Sequence, residues 1–118
     1  MSKFRLWSAA MVFAIAACGG APKPEAQLSS SEGAIRGAKE AGADTVPDAT
    51  LHVKLAEEER AKAVELIAHG ENHRGAMMLA RAEADAELAV ALSRAANAKV
   101  DADKASDTVD ALKQKAAQ

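Results

Sequence analysis

Aromatic residues are almost missing from this 118-residue chain, which has two phenylalanines, one tryptophan and no tyrosine. Phe4, Trp7 and Phe13 all lie near the start. Beyond them nothing can stack on sugars or bases, build a cation–π box or form an aromatic interface hot spot. That excludes the common glycan-binding and single-strand-binding modules. Cysteine is scarcer still: Cys18 is the only one, so the chain has no internal disulfide framework. Alternating Val, Ile, Thr or Tyr runs bounded by turns are missing, so no strand is predicted. Basic charge is not in excess either. Fifteen Lys and Arg face 17 Asp and Glu, a poor match for nucleic acid, whose binders carry basic patches.

What is present begins with Cys18. Lys3 and Arg5 make a short basic start, and Leu6 through Ala17 form an apolar run of twelve residues. That run is too short to span a bilayer and right for the core of a signal peptide. It closes on Ile15-Ala16-Ala17-Cys18. An aliphatic residue, two small residues and a cysteine make up the lipobox of bacterial lipoproteins, in which the cysteine is diacylglycerated and becomes residue one. The expected organisation is therefore a lipoprotein signal peptide over 1–17, a lipidated cysteine and flexible tether over 18–24, and an alanine-rich domain over 25–118. Removing 17 residues from 118 leaves 101, enough for one small domain. Lys3 and Arg5 leave with the leader, so 13 basic residues face 17 acidic ones and the net charge falls to about −4. The expected location is the cell envelope, anchored by lipid at Cys18. Gly19 behind the cysteine suits the outer membrane, facing the periplasm.

The domain reads as all-α. Alanine fills 26 of the 101 remaining positions, and Glu, Lys, Arg and Leu supply much of the rest, all good helix formers. A first helix is predicted from 25 to about 41, with Leu28, Ile35 and Ala38 on one face and Gly42 as its stop. The Ser29-Ser30-Ser31 run, Gly33 and Gly37 weaken it. Thr45 is the expected cap of a second helix over 46–69, with Pro47 in its first turn and Asp48 at its positive end. Leu55, Ala56, Ala63, Leu66 and Ile67 form the expected apolar stripe, and Glu58 and Lys62 a favourable i,i+4 pair. Gly70 ends this helix, and Glu71 or Asn72 starts a third, Asn72 being the better cap by type. A turn this short sets the neighbours antiparallel. The third helix is predicted over 73–115, with Ala76, Leu79, Ala80, Ala86 and Val90 on one side and Met77, Leu88 and Leu92 on another. After Ser93 it turns polar nearly all round, as a protruding or fraying helix does.

From Leu55 to Leu92 the run LAEEERAKAVELIAHGENHRGAMMLARAEADAELAVAL resembles the domain of unknown function family 4398. These are small Ala- and Glu-rich helical segments of bacterial envelope lipoproteins, some fused to an OmpA-like peptidoglycan-binding domain. The lipobox, the upstream AIRGAKEAGA helix and the helix–Gly–helix hairpin carry the resemblance over about 25–111. It implies a helical fold and an envelope location, and no activity.

His69 and His73, either side of Gly70-Glu71-Asn72, are the only candidates for a metal site. Two imidazoles four apart share a face on a continuous helix; a turn between them spoils that geometry, so no metal or other cofactor is expected. No nucleophile–base arrangement is legible, and a thin aromatic-free helical domain offers no obvious enzyme pocket, so the expectation is that the chain is not an enzyme. The expected function is a lipid-anchored structural or protein-interaction module with an envelope protein as partner, self-association being a second mode. Met77, Met78, Leu88 and Leu92 are the candidate contact residues, soft or apolar groups on the hairpin. The alternative is a small periplasmic metal- or ligand-binding lipoprotein.

Overall fold

A computed structural model describes residues 20–118. The leader and Cys18 lie outside the described residues. What is described is all-helical: α1 (Glu25–Glu40), a 3-10 turn (Ala43–Thr45), α2 (Pro47–Ala68) and α3 (Asn72–Ala116). The three helices run up, down and up. Glu59 on α2 reaches Arg81 on α3, and His52 reaches Asp85, so these two helices are antiparallel. Arg60 reaches back to Glu32, and Lys39 to Glu57, which sets α1 antiparallel to α2. Ser30 meets Glu83 while Ala21 meets Asn72, so α1 runs parallel to α3.

The breaks fall where glycine can take a left-handed backbone. Gly42 and Gly70 have φ of 86° and 78°, a conformation other residues adopt only with strain. At Gly70 the N–H groups of Gly70 and Glu71 return to the carbonyls of Ile67 and Leu66, which satisfies orphan acceptors as a Schellman motif does. Pro47 occupies the first turn of α2, where a missing N–H costs nothing. Thr45 is not the cap that the sequence suggests. Its hydroxyl donates to the Gly42 carbonyl at 2.8 Å, and extended Val46 precedes the helix instead. Asn72 is likewise already helical, and its amide donates to the Ala21 carbonyl at 2.6 Å.

The core is made of small residues. On α2, Ala49, Ala56 and Ala63 recur every seven positions and are completely buried. On α3 the facing seam is Gly75, Leu79, Ala82, Ala86, Ala89 and Ser93, spaced by three and four. That spacing keeps one stripe facing a partner helix, and side chains this small let the two backbones approach closely. Two residues of the expected faces are displaced. Leu55 is 37% exposed, its place in the stripe taken by Val53, and Ala80 faces solvent. Ala76 and Val90 are only half-buried. The expected Glu58–Lys62 pair gives way to Lys62–Glu65 at 2.9 Å, which holds the Glu65 carboxyl below its ordinary pKa. Ser31 and Ser93 are buried without cost, because each hydroxyl donates to a carbonyl one turn back on its own helix.

Gly75 marks the tightest approach. A Cβ there would lie 2.5 Å from Ile67 Cγ1 and 3.2 Å from the Ala63 carbonyl. Gly75→Ala gains about 1 kcal/mol of helix propensity, but overpacking costs about 1–3 kcal/mol. A net loss is expected, read as a lower urea midpoint, and a rise would mean the hairpin can open at no cost.

Helix α3 outruns its partners. Every residue from 97 to 118 is exposed, yet the helix is continuous to Ala116. The last twenty helical residues project about 30 Å as a single rod, at 1.5 Å per residue.

Candidate interaction surface

The candidate contact residues divide into two groups. Met77 and Leu88 are open to solvent, at 59% and 43% exposure. Met78 is half-buried, and Leu92 packs partly against the core. Met77 and Met78 line a shallow groove of about 230 Å³ at the hairpin end, together with Lys62, Leu66 and Arg74.

Leu88 belongs to a longer feature that looking for large residues alone misses. On the side of α3 away from α2, Leu88, Ala95, Ala102, Val109 and Ala116 recur every seven residues. Ala84, Ala91, Ala98, Ala105 and Leu112 recur at the complementary positions. Together they make one apolar stripe spaced by four and three, and every member is exposed. The largest are Leu112 at 61%, Val109 at 47% and Leu88. This outer seam lies two residues, about 200°, around the helix from the buried one. The signal was present in the sequence as spacing, hidden because alanine contributes so little to an apolar pattern.

A polar layer crosses the inner interface. Glu59 is buried and bonded to Arg81 at 2.9 Å, while His52 Nδ1 and Asp85 Oδ1 lie 2.7 Å apart. One oxygen of Glu59 has no partner. Burial raises the Glu59 carboxyl pKa, Arg81 opposes this, and the neighbouring Asp85 adds to the rise. A carboxyl that binds its proton more tightly when folded makes the fold lose stability as pH rises from about its ordinary value of 4.5. Glu59→Gln is therefore expected to flatten that decline. The check is the urea midpoint of both chains at pH 4.5 and pH 7; an equal decline in both would place the effect elsewhere.

His69 and His73 are both exposed on either side of the turn. The His69 ring nitrogen Nδ1 lies 2.8 Å from the Glu65 carbonyl, at the negative end of α2. Among the described residues no group of three or more His, Cys, Asp or Glu side chains is placed to hold a metal ion.

The segment leading out of Cys18 meets the same end of the bundle. Ala21 accepts from Asn72, Pro24 is buried, and the Pro24 carbonyl receives the N–H of Leu28. Of the stretch read as a tether, these residues touch the domain. The chain thus enters beside the Gly70 turn, while the α3 rod leaves at the opposite end. No helix among the described residues is long and apolar enough to cross a membrane. The chain matches no family model, no curated protein and no solved structure.

Proposed function

We propose that this chain is a lipid-anchored protein of the bacterial cell envelope that works by contact, offering the outer seam of α3 to a protein partner. The observation that carries this reading is the seam itself: ten apolar positions in register, all exposed, on a surface otherwise rich in charge. A strip of this kind marks an interaction site, and a heptad-spaced helix face is the form that a partner helix fills. The anchor rests on Ile15-Ala16-Ala17-Cys18 behind a basic, apolar leader. The rival reading, a small ligand- or metal-binding lipoprotein, places its weight on His69 and His73, which stand on a solvated turn.

The test is in-cell photo-crosslinking of the full chain from Leu112, Leu88 and, as a charged control position, Glu58. Crosslinks to protein are expected from the first two. Leu88→Glu is expected to abolish those from position 112 while shifting stability by no more than about 0.5 kcal/mol, as exposed substitutions do. Equal crosslinking from Glu58 would overturn the reading. So would metal affinity that disappears on changing His69 and His73 while the crosslinks survive in Leu88→Glu.

A further inference from the structure

We propose that the outer seam is covered by a second copy of this chain, paired antiparallel along α3 about a dyad near Val100. This rests on the reading that the seam is the contact surface, and it names the occupant. Apolar core positions sustained beyond three or four heptads, with charges beside them, define a two-stranded coiled coil. Here they run from Ala84 to Ala116, more than four heptads, and all are exposed in the single chain. Among the described residues, every position of the rod from 97 onward is exposed.

Side-chain size and charge decide the direction. In an antiparallel pair each first core position stacks on the other kind of core position across the interface. Centred near Val100, that register puts Leu88 of each copy against Leu112 of the other and Val109 against Ala91. Ala95, Ala98, Ala102 and Ala105 then meet in the middle, where small side chains allow the helices to close. Charges beside the seam set orientation. Asp85 and Glu87 stand beside one end of the seam, and Lys113 and Lys115 beside the other. Glu87 of each copy meets Lys115 of the other, and Asp85, which also holds His52, meets Lys113. Each of these attractions occurs twice. Against them stand Lys99 beside its own copy and Asp101 beside its own copy, once each. The parallel arrangement sets Arg94 beside Lys99 twice and forms no pair of opposite charges.

The antiparallel pair lays the rod of each copy along the bundle of the other. Residues 72 to 100 span about 42 Å, so the two N-terminal ends stand roughly 80 Å apart, facing opposite ways.

The test uses the full chain, purified in detergent, with Leu88→Cys and Leu112→Cys made separately and the unsubstituted chain alongside to account for Cys18. Oxidising the two variants as a mixture is expected to give a covalent dimer, and oxidising either alone is expected to give none. Ala98→Lys with Ala102→Lys, both at exposed helical positions, is expected to weaken pairing at least about tenfold, measured by light scattering across a dilution series. A dimer from either single cysteine variant alone overturns the antiparallel arrangement. A monomer at all concentrations, with no crosslink from the mixture, overturns self-pairing. In that case photo-crosslinks from Leu88 to another protein would leave the contact reading standing, and their absence would remove both.

Discussion

Leu79→Ala is expected to lower the stability of the domain by about 2–4 kcal/mol. Leu79 is the largest side chain in the structure that is fully buried. It stands in a seam whose other members are Gly75, Ala82, Ala86, Ala89 and Ser93. Removing its isobutyl group loses the transfer free energy of those atoms and leaves a cavity. Its neighbours in that seam have no side-chain length with which to fill the cavity, and buried alanines on both helices limit how far the backbones can close. The site can collapse little, which places the cost well above that of a single lost methylene. Typical stabilities of 0.05–0.15 kcal/mol per residue give the packed part of this chain, about 70 residues, only some 4–10 kcal/mol in total. The loss is therefore a large fraction of what holds the bundle together. It is measured as a fall in urea midpoint at unchanged slope. An unchanged midpoint would show that the α2–α3 seam is not where the stability resides.

The same chemistry explains what could be read from the sequence. Punctuation was legible, because Gly42, Pro47 and Gly70 each act through the backbone and need no knowledge of what packs where. Helical content was legible for the same reason, as a property of residue type. Facing was not. In most amphipathic helices the buried stripe is larger and more apolar than the exposed one, but here alanine serves both sides. Ala82 is buried and Ala84 exposed, and no scale of hydrophobicity separates them. Leu55 attracts attention by size, yet the interface selects small residues at 49, 56 and 63, because close helix approach excludes larger ones. Glu59 escaped notice for the opposite reason. A carboxylate predicts a solvated face, and only the position of Arg81 on another helix makes its burial tolerable. Of the candidate contact residues, Leu88 lies on the outer seam, Met77 and Met78 border the hairpin groove, and Leu92 packs partly inward. The signal that unites Leu88 with Val109 and Leu112 is the seven-residue interval rather than apolarity. Counting alanines by position, rather than discounting them as filler, finds both seams.

Once its leader is removed, the Cys18→Ser protein is expected in the soluble fraction rather than the membrane fraction, almost completely. Two or three acyl chains on Cys18 hold a protein stably on a bilayer, whereas a single chain does so only marginally. The described helices offer no spanning segment to take over. The position of residues 20–24 adds a geometric expectation. Cys18 precedes Gly20 by two residues, which span at most about 7 Å, and Ala21 is bonded to Asn72 beside the Gly70 turn. An acyl chain on Cys18 would therefore start near the hairpin end, with the α3 rod pointing away from the lipid. A fluorophore at His73 in the lipidated chain should be quenched by a headgroup-bound quencher. One at Leu112, 39 helical residues further and about 58 Å along the axis, should not. The unquenched position at Leu112 also keeps the far end of the outer seam clear of the bilayer, where a second copy can reach it. A serine variant that has lost its leader and still stays in the membrane fraction would remove the lipid anchor from this account. Equal quenching at both positions would keep the anchor and lay the rod flat on the surface.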